Sequence, residues 1–122
     1  MARRYFELFH ADTLDELREV LHPDAAIELM VVQPGTLLRG REEIVDFLEH
    51  ELARRLWETV VHVCTPIDET RIVVEGRVRW TDDERVMRDE ARVWGLEFRD
   101  GLLLRSIPAR SPVEAEALLA AG

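Results

Sequence analysis

The second half of the chain is a run of four β-rich segments, and this run limits the fold more than any other feature of the sequence. The segments cover residues 59–65, 71–80, 86–99 and 102–110. Asp82-Asp83 marks the turn before the third segment and Asp100-Gly101 the turn before the fourth, and Asp-Gly is the stronger hairpin signal. The sequence therefore predicts an antiparallel four-stranded meander.

Helical patterns flank this meander. The predicted order is helix 3–10, a helix from Thr13 to the stop at Pro23, strand 25–31, a short edge strand at Leu37-Leu38, helix 41–56, the four strands, and a helix opened by the capping box Ser111-Pro112-Val113-Glu114. Thr13-x-x-Glu16 also has the capping-box spacing. This order is typical of an α+β fold and differs from the alternation of a parallel sheet. A length of 122 residues without repeats or linkers fits one domain over 1–122.

The register between segments 71–80 and 86–99 follows from their side-chain pattern. Pairing Thr81 with Val86 gives one largely apolar face and one face on which opposite charges meet. On the apolar face Val74, Gly76, Val78 and Trp80 lie opposite Val93, Ala91, Asp89 and Met87; on the other, Arg77 and Glu75 lie opposite Glu90 and Arg92. This register predicts that Asp89 lies on an otherwise apolar face.

The last hairpin requires a change of parity in segment 86–99. With Asp100-Gly101 as its loop, Trp94, Leu96 and Phe98 share the apolar face with Leu103, Arg105 and Ile107. An apolar face that uses odd positions through Val93 and even positions from Trp94 needs a bulge or a sharp bend. We predict a β-bulge near Val93-Trp94-Gly95 and a sheet that curls around an interior.

Composition excludes several classes of partner. The net charge is −9 and no stripe of Lys or Arg is present, which argues against a nucleic-acid partner. A single cysteine, Cys64, suits a reducing compartment, and the sequence has neither a signal-peptide pattern nor an apolar stretch long enough to span a membrane. We therefore expect a cytoplasmic protein without a membrane partner. The four histidines have no ligand spacing and no cofactor motif is present, so we expect neither a metal nor a cofactor.

Several short motifs, in a fixed order, resemble a known family. They are Arg4-Tyr5-Phe6, Ala11-Asp12-Thr13-Leu14-Asp15-Glu16-Leu17, His22-Pro23-Asp24-Ala25-Ala26-Ile27-Glu28, Gly40-Arg41-Glu42-Glu43-Ile44, Val93-Trp94 and Phe98-Arg99-Asp100-Gly101. In their order and spacing the chain resembles SnoaL-like proteins of the nuclear transport factor 2-like superfamily, which includes ketosteroid isomerases and polyketide cyclases. The resemblance implies a cone-shaped fold, in which about three helices pack on a strongly bent, mostly antiparallel sheet with a short C-terminal helix. It also implies an apolar pocket and a homodimer.

The same resemblance places two catalytic positions of ketosteroid isomerases on apolar residues. Tyr5 falls where those enzymes have the tyrosine that donates a hydrogen bond to the oxyanion. The position of their carboxylate base is matched by Leu29, and that of their acidic oxyanion donor by Trp94. Because proton abstraction beside a carbonyl needs a base, the resemblance does not extend to steroid isomerase activity.

Three polar residues on apolar faces are candidates for chemistry. Tyr5 can donate a hydrogen bond, and Asp89 or His62, which shares a strand face with Val60 and Cys64, can accept a proton. Each also has a structural interpretation: a core tyrosine, an aspartate in solvent at the open end of the hairpin, and a strand histidine bonded to backbone. A fourth polar feature, the pair Glu51 and Arg55, has i, i+4 spacing on the long helix, and we expect it to extend to solvent.

The leading hypothesis from the sequence is a protein that binds a small, mostly apolar molecule in its cone. The predicted pocket-lining residues are Phe9, Ile27, Leu29, Trp57, Trp80, Met87 and Trp94. Catalysis there would be cofactor-free acid–base chemistry, such as isomerisation, cyclisation, dehydration or hydrolysis. The alternatives are a non-catalytic module that binds a ligand or dimerises, and a domain that binds partner proteins.

Overall fold

Six strands form one open sheet in the computed structural model, which describes residues 2–122. They are β1 (Leu21–Glu28), β2 (Leu37–Arg39), β3 (Trp57–Pro66), β4 (Arg71–Thr81), β5 (Met87–Arg99) and β6 (Leu102–Ala109). Their order across the sheet is β2-β1-β6-β5-β4-β3. β1 and β6 run parallel, and all other neighbours are antiparallel. The predicted meander and the α+β class are confirmed.

Four α-helices and one 3-10 turn complete the part of the chain that the structure describes. They are α1 (Ala2–Glu7), the 3-10 turn Ala11–Thr13, α2 (Leu14–Val20), α3 (Arg41–Leu52) and α4 (Pro112–Ala121). The cap of α4 forms as predicted, because Ser111 Oγ accepts a hydrogen bond from the Glu114 backbone N–H at 3.1 Å. The capping box at Thr13 is wrong: Thr13 Oγ1 donates to the Leu8 carbonyl at 2.8 Å, and Glu16 pairs with Arg4. The long helix ends at Leu52, four residues before its predicted end.

The predicted register of β4 and β5 is wrong by one residue. Thr81 pairs with Met87, and Asp82 N–H donates to the Val86 carbonyl at 2.9 Å, so the loop contains three residues. Such a loop ends with a residue in the left-handed region, and Arg85 occupies it with φ 65°. Because side chains alternate between faces, the one-residue shift moves Asp89 to the other face and removes the predicted charge pairs.

The bulges lie elsewhere than predicted. β4 and β5 pair without interruption from Thr81 to Arg71, so no bulge is present at Val93-Trp94-Gly95. The pairing shifts instead in β3 between Val61 and Val63, and in β6 opposite Glu97 and Phe98, where Leu104 is the extra residue. With the correct register the inner-face positions of β4 and β5 are even throughout, so no change of parity is needed in β5.

Different helices pack on the two faces of the sheet. The inner face, which contains Val74, Val78, Trp94 and Leu96, packs against the aromatic side of α1 and against α3. α4 covers one end of the outer face, where a Cβ on Gly95 would lie 3.0 Å from Leu119 Cγ. The absent side chain at Gly95 is therefore what allows α4 to approach the sheet closely. None of the described helices is long and apolar enough to cross a bilayer.

The pair Glu51 and Arg55 is buried, so the expectation that it extends to solvent is wrong. The side chains are 3% and 6% exposed, and Arg55 Nε donates to Glu51 Oε2 at 3.0 Å. Arg55 also donates to the Thr81 carbonyl at 2.8 Å and to Asp83 Oδ1 at 2.7 Å. Burial acts to lower the pKa of Arg55, but the hydrogen bond to Asp83 and the charge of Glu51 outweigh it and raise that pKa. The network joins the end of α3 to the β4–β5 loop.

Removing one member of this network is expected to destabilise the fold strongly. Arg55→Met leaves Glu51 buried without its partner, which costs about 3 to 5 kcal/mol of unfolding free energy. The double substitution Glu51→Leu with Arg55→Met removes both charges and costs much less. Urea unfolding measures each value, and Arg54→Met at the exposed neighbouring position is the matched control. Equal losses for Arg54→Met and Arg55→Met would contradict the prediction.

Candidate functional site

A small cavity lies between the inner face of the sheet and helices α1 and α3. Its volume is about 30 Å³, which accommodates one or two water molecules. α1, α3 and every strand of the sheet contribute to its wall, as does the segment Leu29–Val31 that follows β1. The cavity is therefore the place where the curvature of the sheet leaves the helices and strands incompletely packed.

Aromatic side chains form much of the cavity wall. Tyr5 lies with its ring centroid 4.7 Å from that of Phe6 and 5.0 Å from that of Phe9. Phe6 contacts Trp94 at 5.0 Å, and Phe9 contacts Trp57 edge-on at 6.0 Å. Offset and edge-to-face pairs of this kind are the favourable aromatic arrangements. The cluster fixes α1 on the sheet and forms an apolar wall beside the cavity.

The predicted pocket residues divide into two groups. Tyr5 and five of the seven predicted lining residues border the cavity, namely Phe9, Ile27, Leu29, Trp57 and Trp94. Trp80 is buried but does not reach the cavity, because it lies at the end of β4 opposite Trp57. Met87 is 49% exposed, because the correct register places it on the outer face of the sheet.

Two hydroxyl groups meet inside this apolar wall. Tyr5 and Ser106 are 2% and 3% exposed, and both border the cavity. The burial of Tyr5 raises its pKa, and the side chain of Ser106 opposes that rise only in part. The phenol therefore stays protonated at neutral pH and can donate a hydrogen bond. A buried pair of hydroxyls can hold a carbonyl or hydroxyl oxygen of a ligand.

The sequence pattern did not indicate Ser106, because it predicted a bulge in β5 and a regular β6. A regular strand with Leu103 inward would also turn Arg105 inward. The extra residue at Leu104 reverses this alternation, so Ser106 faces the cavity beside Ile27, its partner on β1. Arg105 instead pairs with Glu97 on the outer side, at 2.6 Å. The only signal in the sequence was a lone serine within an apolar strand.

Asp89 and His62 do not reach the cavity, so their predicted placement is wrong. Asp89 lies on the outer face, where its carboxylate is 2.9 Å from Arg77 Nε and 3.8 Å from Arg79 Nε. His62 is exposed at the β3 bulge, which separates the faces of Val60 and Cys64. Neither residue can exchange a proton with a molecule held between Tyr5 and Ser106.

One carboxylate residue, Glu28, borders the cavity at the end of β1. It alternates with Ile27 and Leu29, which are buried, and is itself partly exposed. Its side chain therefore belongs to the strand face opposite the core. Among residues 2–122 no group of three or more His, Cys, Asp or Glu side chains is arranged to hold a metal ion.

An open mixed sheet that bends around an aromatic cavity, with three helices on its inner side, defines the nuclear transport factor 2-like class. Within that class the SnoaL-like domain model matches residues 2–106, so the chain belongs to the SnoaL-like domain family. This confirms the resemblance drawn from the sequence. No curated protein sequence matches the chain.

Solved structures support the fold. RV0760c of Mycobacterium tuberculosis, in complex with estradiol-17β-hemisuccinate, is 12% identical with a TM-score of 0.76, covering 93% of this chain and 92% of that chain. A putative polyketide cyclase of Xanthomonas campestris is 24% identical with a TM-score of 0.72 and coverages of 95% and 91%. The Δ5-3-ketosteroid isomerase of Mycobacterium sp. is 12% identical with a TM-score of 0.74 and coverages of 93% and 92%. At these identities the likeness establishes the fold alone.

Titration of the phenol tests the environment of Tyr5, which is the only tyrosine of the chain. Because folding favours the neutral phenol, its contribution to stability is complete below the ordinary pKa of about 10 and is lost as the pH rises above it. We expect no tyrosinate absorbance near pH 10 in the folded protein, and a normal titration in concentrated guanidinium. Tyr5→Phe, which has no tyrosine, gives the background absorbance. A reversible step near pH 10 with unchanged circular dichroism would contradict the assignment.

Proposed function

We propose that this protein binds a small, mostly apolar molecule that carries one hydrogen-bond acceptor. The observation that supports this is the pair of buried hydroxyls, Tyr5 and Ser106, within a wall of aromatic and aliphatic side chains. The apolar body of the ligand would lie against Phe9, Trp57 and Trp94. A carbonyl or hydroxyl oxygen at one end would accept a hydrogen bond from the Tyr5 phenol. Few, well-placed polar groups in an apolar pocket are typical of small-molecule sites.

The ligand class follows from the shape and the chemistry of the wall. The aromatic rings in the wall favour an aromatic or polycyclic molecule over a flexible chain. The steroid ester bound by RV0760c of M. tuberculosis is a molecule of this kind. A cavity of about 30 Å³ is much smaller than any such ligand, so binding requires the wall to open.

We favour binding without proton abstraction. Leu29 occupies the position that the resemblance assigns to a catalytic base, and Asp89 and His62 lie on the outer side of the sheet. Glu28 belongs to the strand face that points away from the core. A general base has to come within hydrogen-bond reach of the proton it removes. The hydroxyl pair alone can orient a ligand but has no strong acceptor for a carbon-bound proton.

Substitution of the hydroxyls is expected to weaken binding. A panel of planar ketones and phenols, estradiol among them, is titrated while the tryptophan fluorescence is followed. Each lost hydrogen bond is worth about 0.5 to 1.5 kcal/mol, so Tyr5→Phe and Ser106→Ala should each raise Kd by about threefold to tenfold. Asp89→Asn is the control and should leave Kd unchanged. Absence of binding across the panel, or equal affinity for Tyr5→Phe, would refute the proposal.

We further propose that two copies associate through the open part of the outer sheet face. This region, beyond the cover of α4, contains Val60 and Val63, which are 46% and 47% exposed. Between them and β5 lie charges of both signs, with Arg79 bonded to Glu58 at 3.2 Å and Arg77 bonded to Asp89 at 2.9 Å. A groove of about 560 Å³ crosses β3, β4, β5 and β6 there. A surface that mixes apolar side chains with both charges can be complementary to itself in a two-fold dimer.

A charged substitution on this face is expected to dissociate the dimer. Val60→Lys and Val63→Lys each introduce two unpaired charges into a two-fold interface, which should give monomers at micromolar concentration in analytical ultracentrifugation. Val113 on α4 is the matched control, because it is an exposed valine outside this face. Val113→Lys should remain dimeric. A monomeric parent protein, or dissociation by Val113→Lys alone, would exclude this interface.

A further inference from the structure

A second pocket lies at the surface beside the cavity, between α1 and β3. Its volume is about 260 Å³, and its wall consists of Arg3, Phe6, Glu7, Thr59, Val60 and Val61. Phe6 and Thr59 also belong to the wall of the inner cavity. These two side chains therefore lie between the small inner cavity and the larger surface pocket.

Phe6 is the larger of the two side chains between these pockets. It is an aromatic side chain on a six-residue helix, held by its contacts with Tyr5 at 4.7 Å and Trp94 at 5.0 Å. Helices this short have little stability of their own, so α1 depends on what it packs against. Its main contact in the fold is with β3. A small outward movement of α1 would take Phe6 with it.

Arg3 holds α1 against β3 by a contact that can be broken without disturbing the core. Its guanidinium donates to the Val61 carbonyl at 2.9 Å and to the His62 carbonyl at 3.4 Å. Successive carbonyls of a regular strand point in opposite directions, and the bulge at His62 is what lets one guanidinium reach both. Arg3 is exposed, so water can replace these hydrogen bonds at little cost.

We propose that ligands reach the cavity between α1 and β3, through a gate formed by Phe6 and fastened by Arg3. When Phe6 moves outward, the two pockets become one chamber that leads from solvent to Tyr5 and Ser106. Phe6 then determines the size of the molecule that enters, because the inner cavity of about 30 Å³ has no space for one. The role of the gate in ligand entry rests on the proposed binding function. The opening itself would occur in the free protein and can be tested without a ligand.

Acrylamide quenching of tryptophan fluorescence tests the gate without any ligand. Trp57 and Trp94 border the cavity, so a quencher that passes the gate reaches both. We expect Phe6→Ala to raise the quenching constant several-fold and Arg3→Met to raise it by a smaller factor. Leu48→Ala is the matched control, because it also removes a large side chain from the cavity wall but lies on α3. Its quenching should remain close to that of the parent protein.

Two further measurements separate the gate from simple loss of structure. Phe6→Leu keeps an apolar side chain between the two pockets, and its quenching should lie between the parent and Phe6→Ala at unchanged cooperativity of unfolding. Where a ligand of the estradiol class binds, Arg3→Met should raise the association rate of that ligand, because Arg3 contacts β3 and not the inner cavity. Equal quenching in Phe6→Ala and Leu48→Ala, or no change in either, would overturn the gate. A gate confirmed by quenching with no ligand bound would refute only the binding function.

Discussion

The whole structure depends on burying one apolar face of a curved sheet under a few aromatic residues of a short helix. The even positions of β4 and β5 form this face, and α1 with the turn that follows it supplies Tyr5, Phe6 and Phe9 against it. Curvature is what leaves a space between the layers, because a bent sheet and straight helices do not fill the same volume. Bulges in β3 and β6 are where the pairing adjusts to that curvature. The cavity, the hydroxyl pair and the proposed gate each include a residue of α1.

The order and type of the elements could be predicted from the sequence, because each has a strong periodic pattern or a turn signal. The helix in front of Pro23, the hairpin at Asp100-Gly101 and the cap at Ser111 are local features, and local chemistry decides them. The family could be predicted for the same reason, since its motifs are short and ordered along the chain. Within the cavity, Tyr5 and most of the apolar wall follow from these elements.

The site beyond Tyr5 depended on register, which a local pattern does not determine. The loop that contains the left-handed Arg85 is one residue longer than predicted, because Thr81 pairs with Met87 and not with Val86, and this alone moves Asp89 to the outer face. One extra residue at Leu104 exchanges Arg105 for Ser106 in the cavity wall. The buried position of Arg55 likewise depends on Asp83 and Thr81, which are distant in sequence. Packing between distant segments determines each of these outcomes. A shift of one residue in register turns every side chain of a strand to the other face, so the two registers differ greatly in free energy.

The contact between Arg3 and β3 also bears on how the protein avoids aggregation. β3 is a ten-residue strand at the edge of the sheet, and it has two exposed valines. An edge of this length is a template to which the strand of another molecule can add. The guanidinium of Arg3 occupies two of its outward carbonyls, and the bulge at His62 interrupts the straight ladder that an added strand would need. The same short helix that lies over the cavity therefore also protects the edge, so the proposed outward movement of α1 would expose a surface competent for intermolecular β-pairing.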